Sequence, residues 1–142
     1  MTTFSRVIAF SLLSLIGLSA APAKADVEID MSRYAAVAYS KSTGKYGYAW
    51  DWGSLGAAKR VALSECKAAD AEIVGWVQGG WLVLAVADDK AYGTGYVSGD
   101  GVNSSTAQLR AVNNCLKTTT STSPPKIKVV ICSGNYPPKV YD

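Results

Sequence analysis

The sequence predicts an α+β fold: two tandem strand-strand-helix-strand repeats forming an antiparallel sheet with two helices packed on one face. Three observations carry that expectation. Apolar runs of strand length are interrupted twice by alanine-rich stretches with helical spacing. Turn residues punctuate the runs, as "KSTG" at 41–44, "GG" at 79–80 and "DDK" at 88–90. The chain also resembles itself, because "AVAYSKSTGKYGYAW" followed by "SLGAAKRVALSEC" is answered by "LAVADDKAYGTGYV" followed by "NSSTAQLRAVNNC". In that alignment Tyr46-Gly47 falls on Tyr92-Gly93, Ala58 on Ala107, Ala62 on Ala111 and Cys66 on Cys115.

In chain order, residues 1–25 read as a Sec-type signal peptide. Arg6 supplies the positive end, 7–18 form a short apolar run, and Ala23, Lys24 and Ala25 offer small residues for cleavage after Ala25. The expected location is therefore the periplasm or the exterior. The first repeat, about 34–78, opens with strands at 35–40 and 45–50 around the glycine-terminated turn. Ser54 caps a helix whose Leu55, Ala58, Ala62 and Cys66 share one face, and a strand follows at 71–78. Gly79 and Gly80 then read as a two-residue hairpin turn into "WLVLAVA" (81–87). In the second repeat, about 81–133, Asp88 to Lys90 form the turn and Asn103 caps a helix reaching about Lys117. A polar loop, "TTTSTSPP", ends at Pro124 and Pro125, a last strand occupies 126–133, and 134–142 form an irregular tail. Residues 34–133 make a single domain.

Composition excludes more than it assigns. With no histidine among 142 residues, His-based triads, Cys-His dyads and His metal sites are absent from this chain. Loss of Arg6 and Lys24 with the signal reduces 14 Lys+Arg to 12 against 11 Asp+Glu, a net charge of about +1. That balance gives no electrostatic case for nucleic acid or an anionic membrane, and no stable membrane insertion is expected after signal removal. No metal and no cofactor is expected. Three cysteines allow one internal bridge. Cys115 with Cys132 would close a loop of roughly 17 residues, worth about 3 kcal/mol in the chain-entropy picture, leaving Cys66 as a buried free thiol.

The candidate contact residues lie in "KYGYAWDWG" (45–53), where Tyr46, Tyr48, Trp50 and Trp52 recur at every second position. In a strand all four leave one face. Gly47 and Ala49 alternate with them, as Gly93 and Gly95 alternate with Tyr92, Thr94, Tyr96 and Ser98. Small residues on strand and helix let the two pack closely, which would turn the rings to the opposite face. That face is either core or a displayed surface for stacking on sugar rings, docking a protein or closing a homodimer. Tyr-Gly recurs in both halves and reads as architectural, whereas Trp50 and Trp52 have no aromatic echo. Tyr46, Tyr48, Tyr92 and Tyr96 complete the candidate set. Asp88 and Asp89 read as a hairpin tip before a catalytic carboxylate pair, and "SGDG" (98–101) lacks the alternating oxygen ligands of a calcium loop.

"YAAVAYSKSTGKYGYAW", the alanine-rich helix ending in Cys, and "VLAVADDKAYGTGY" together resemble the secreted bacterial family known as domain of unknown function 4189. The resemblance runs from about Tyr34 to Ser133. It implies an exported protein of duplicated strand-strand-helix-strand units, and it brings no catalytic residues. It also implies further cysteines near places where Glu72, Trp81 and Pro125 stand here. The function expected is that of a small exported non-enzymatic binding protein with a protein or glycan partner. The alternatives are an inhibitor or immunity protein of a secreted enzyme, and an enzyme working through carboxylates such as Asp51, Asp88 or Asp89.

Overall fold

A computed structural model describes residues 29–99 and 102–142. The signal peptide expected at 1–25 lies outside the described residues. Among the described residues, seven strands and two helices follow in the order β1 (Tyr34–Tyr39), β2 (Tyr46–Trp52), α1 (Leu55–Cys66), β3 (Glu72–Gln78), β4 (Gly80–Val86), β5 (Tyr92–Ser98), α2 (Ser104–Leu116), β6 (Lys126–Cys132) and β7 (Lys139–Val140). The α+β class is as expected, and every strand pairing is antiparallel.

The strands form two sheets, however, where the sequence predicted one. The first has the order β2-β1-β3 and the second β5-β4-β6-β7. Gly79 and Gly80 do not close a hairpin, because β4 already pairs with β5 on one side and β6 on the other and has no edge left for β3. Instead the chain turns out of the first sheet at Gly79, whose φ of 59° suits glycine, and its N–H is held by the Arg33 carbonyl at 3.0 Å. The buried Ser133 hydroxyl receives the Gly80 N–H at 2.8 Å and fixes the start of β4. The tail is not wholly irregular either: β7 returns to pair with β6.

The two sheets face one another, and the layer between them is the main core. Val37 and Tyr39 of β1 and Val77 of β3 meet Leu82 and Leu84 of β4 and Ile131 of β6 there. Each helix covers the outer face of its own sheet. Ala58, Ala62 and Cys66 of α1 pack on Ala36, Ala38 and Ala49, while Ala107, Ala111 and Cys115 of α2 pack on Val83, Ala85 and Val130. The helices therefore lie on opposite outer faces of a four-layer arrangement, not together on one face. Glycines set the helix-to-sheet spacing. A Cβ on Gly47 would lie 2.6 Å from the Glu65 carbonyl carbon, and one on Gly93 would lie 2.8 Å from that of Asn114. Ser54 and Asn103 cap the helices by accepting N–H bonds from Ala57 and Ser105.

Each half ties its strand turn to the loop after its helix through one carboxylate. Asp70 accepts from the buried Ser40 hydroxyl at 2.5 Å and from the Ser42 N–H at 3.1 Å. Asp89 accepts from the Thr120 N–H at 2.7 Å, the Thr119 hydroxyl at 2.9 Å and the Thr120 hydroxyl at 3.0 Å. The Thr120 N–H bond is the main reason the Asp89 carboxyl is held down at about 2 against an ordinary 3.8. A depressed carboxyl stabilises the fold above its ordinary value and stops doing so as pH falls toward the folded value. Stability should therefore decline between pH 3.8 and about 2. In Asp89→Asn that acid limb should be shallower, and the difference from wild type should shrink to nothing at the bottom of it. Thermal midpoints measured across that range check the sign.

Candidate functional site

The aromatic stripe on β2 is split by a bulge. The pairs Tyr34–Trp52 and Ala36–Ala49 place one extra β2 residue between them, and Asp51 takes a φ of 60° to accommodate it. The Asp51 carboxylate meets the Arg33 guanidinium at 2.8 Å, and its N–H donates to the Ser133 carbonyl at 3.2 Å. Before the bulge, Tyr46, Tyr48 and Trp50 share the face that looks toward the second sheet. Their ring centroids are spaced 6.4 and 6.0 Å apart in sequence order. After it, Trp52 stands opposite Tyr34, a residue of the face that α1 covers. The expectation that all four rings leave one face is corrected: the strand's alternation is interrupted at Asp51.

The stripe is core at one end and surface at the other. Tyr46 and Tyr48 pack against the layer between the sheets, and burial pushes the Tyr46 hydroxyl above its ordinary pKa. Trp50 and Trp52 are each 38% exposed. Because β2 is an edge strand, a groove of about 670 Å³ runs along it, lined also by Val61 and Glu65 of α1 and by Asn135.

Tyr92 and Tyr96 belong elsewhere. Both lie on β5, which is the edge of the second sheet and borders β3. The Tyr92 ring packs on Tyr39 at 5.1 Å, with the Lys41 ammonium over its face at 5.5 Å. Tyr96 is 57% exposed and lines a second groove, of about 830 Å³, with Trp76 and Met31. That groove is the larger of the two. The Lys59 ammonium lies 5.8 Å from the Trp76 ring, and the Thr94 hydroxyl bridges to the Val74 carbonyl at 3.1 Å. Trp81, the fourth tryptophan, is structural, since its Nε1–H donates to the Val102 carbonyl at 3.0 Å.

The expected Cys115–Cys132 bridge is not formed: all three cysteines are free and buried. The topology explains it. Cys115 donates its thiol to the Ala91 carbonyl beside the β4–β5 turn, whereas Cys132 pairs with Trp81 at the other end of β4. Gly93 and Ile127 both sit across from Ala85, so about 13 Å of strand separates the two levels. A disulfide needs its Cα atoms within about 7 Å. Cys66 mirrors Cys115 and donates to the Lys45 carbonyl. Burial raises the pKa of all three thiols.

Sequence reasoning passed over Val61, Glu65 and Trp76. The first two could have been read from the internal alignment, where counting back from Cys66 and Cys115 sets Val61 against Arg110 and Glu65 against Asn114. Among the described residues, no three His, Cys, Asp or Glu side chains gather to hold a metal ion, and no helix is long and apolar enough to cross a membrane. Residues 34–132 match the family described as "Domain of unknown function (DUF4189)", and the chain belongs to it. No curated protein and no solved structure matches the chain.

Proposed function

We propose that this member of a family of unknown function is an exported, non-enzymatic binding protein whose contact surface is the β2 edge, with Trp50 and Trp52 as its anchors. One observation carries the reading. Two partly exposed indoles stand on opposite sides of one edge strand and flank an open groove that runs along it. The bulge at Asp51 supports it, since bulges re-aim side chains at sheet edges and here one directs Trp52 away from Trp50. Two of the three carboxylates that could serve an enzyme have other work. Asp51 holds Arg33, and Asp89 holds the loop after α2. Export rests on the leader-like pattern of residues 1–25.

The test is capture of a partner from envelope extract and secreted material by the protein and by its Trp50→Ala/Trp52→Ala variant. Both rings are over a third exposed, so the variant should keep its far-ultraviolet circular dichroism and most of its thermal midpoint. It should lose the partner. Retention of the same partner by the variant would reject this surface.

A further inference from the structure

We infer that the open edge of β2 accepts an extended peptide as an additional strand, and that the peptide it fits carries lysine or arginine toward Glu65. This rests on the β2 surface being the contact surface and names the chemistry of its partner. Strand pairing fixes which backbone groups are free. Beyond the closing bond from Ser40 N–H to the Lys45 carbonyl, hydrogen-bonded and non-bonded pairs alternate. Ala38–Gly47 is bonded, while Tyr39–Tyr46 and Val37–Tyr48 are not. Tyr46 and Tyr48 therefore aim their N–H and C=O groups away from β1, into the groove.

The second half of the same molecule supplies the comparison. There the turn closes with Ala87 N–H on the Ala91 carbonyl, and the same alternation turns Thr94 outward. Its carbonyl accepts from Asn114 Nδ2 at 2.8 Å, and the Tyr96 carbonyl from an Arg110 guanidinium nitrogen at 2.7 Å. Side chains of α2 thus cap the β5 edge, a common defence against strand addition. At the matching positions of α1 stand Val61, which cannot donate, and Glu65, which only accepts when ionised. Among the described residues no side chain donates to the Tyr48 or Trp50 carbonyl, and β2 carries neither proline nor lysine. One edge is guarded and its counterpart is bare.

Charge selects the occupant. Glu65 is exposed and has no salt bridge among the described residues, so its wall of the groove favours a cation. The Tyr48 and Trp50 rings, 6.0 Å apart, offer faces for a lysine or arginine stem on the other side of the added strand. A second copy fits less well. Antiparallel pairing of two β2 edges about Tyr48 would bring both Glu65 carboxylates to one seam.

The test titrates the protein with an alternating threonine–lysine octapeptide, the same peptide N-methylated at every second amide, and a threonine–glutamate counterpart. Tryptophan fluorescence reports affinity, and amide exchange reports place. The lysine peptide should slow exchange at Tyr46 and Tyr48. Methylation or exchange of lysine for glutamate should each weaken it by about tenfold or more, the scale of one or two hydrogen bonds or a charge pair. Val61→Arg/Glu65→Asn, which transplants the α2 cap, should do the same with an unchanged thermal midpoint. Equal binding of the methylated peptide would overturn strand addition while leaving the tryptophan surface standing. So would peptide binding that protects neither tyrosine amide, or a concentration-dependent dimer that protects them without peptide. Failure of every peptide to bind, alongside tryptophan-dependent capture of a natural partner, would overturn it too.

Discussion

Gly47→Ala and Gly93→Ala should each destabilise the protein by about 3 kcal/mol or more, against a total stability of about 5–15 kcal/mol for a domain this size. The cause is local. Both glycines sit on the sheet face beneath a helix, and the first side-chain carbon would enter the helix backbone: Cys66 N and Ala62 O above Gly47, Cys115 N and Ala111 O above Gly93. Backbone atoms cannot rotate aside as a side-chain end can, so the helix must lift as a unit and uncover the alanines packed under it. Gly56→Ala is the internal control. It lies in the first turn of α1, its φ is not positive, and its added carbon would meet only the far end of Arg60 at 3.6 Å. That substitution should be neutral or stabilise by about 0.4–1 kcal/mol. Urea midpoints for the three variants decide it, and equal losses at all three would contradict close helix-to-sheet packing.

Leu84→Ala should cost about 2–5 kcal/mol, because Leu84 is fully buried between the sheets and neighbours on both sides have limited room to collapse. Its more informative consequence is spatial. Leu84 belongs to β4, yet the layer it fills is shared with Val37 and Tyr39 of β1. A cavity there should therefore speed amide exchange in β1 and β4 together. Loosening confined to β4, β5 and α2 would show that the two sheets do not share a core.

Element types and most boundaries were legible in the sequence because each element carries a local signal. Ser54 and Asn103 are helix caps by chemistry, and the Gly47 and Ala49 alternation marks a face that a helix approaches. The division into two sheets was not read from Gly79-Gly80, since a two-glycine turn serves a hairpin and a change of sheet equally well. The stronger signal lay beside it. "WLVLAVA" is apolar without alternation, as β4 must be when α2 covers one face and the other sheet covers the second. A single sheet with helices on one face would have called for alternation there.

The candidate site was legible only in part. Trp52 stood out because Ser98 stands at its place in the second half, whereas Trp50 answers to Tyr96, and both indoles are partly exposed. Their separation onto two faces was hidden, because a bulge depends on how β1 pairs with β2 and leaves no fixed mark in sequence. Tyr92 and Tyr96 lie apart from them for a related reason. The two strands are equivalent within their halves, but β2 lies over β6 while β5 lies beside β3. The cysteines misled through loop length, which says nothing about the end of a strand at which a thiol arrives.

The most direct measurement is a hydrogen-exchange footprint of the protein bound to its captured partner, against the protein alone. Protection should fall on residues 46–52 and on the α1 wall around Val61 and Glu65, with no change along Trp76 and Tyr96. Protection centred on the β3–β5 groove, with β2 unchanged, would contradict the assignment of the binding surface.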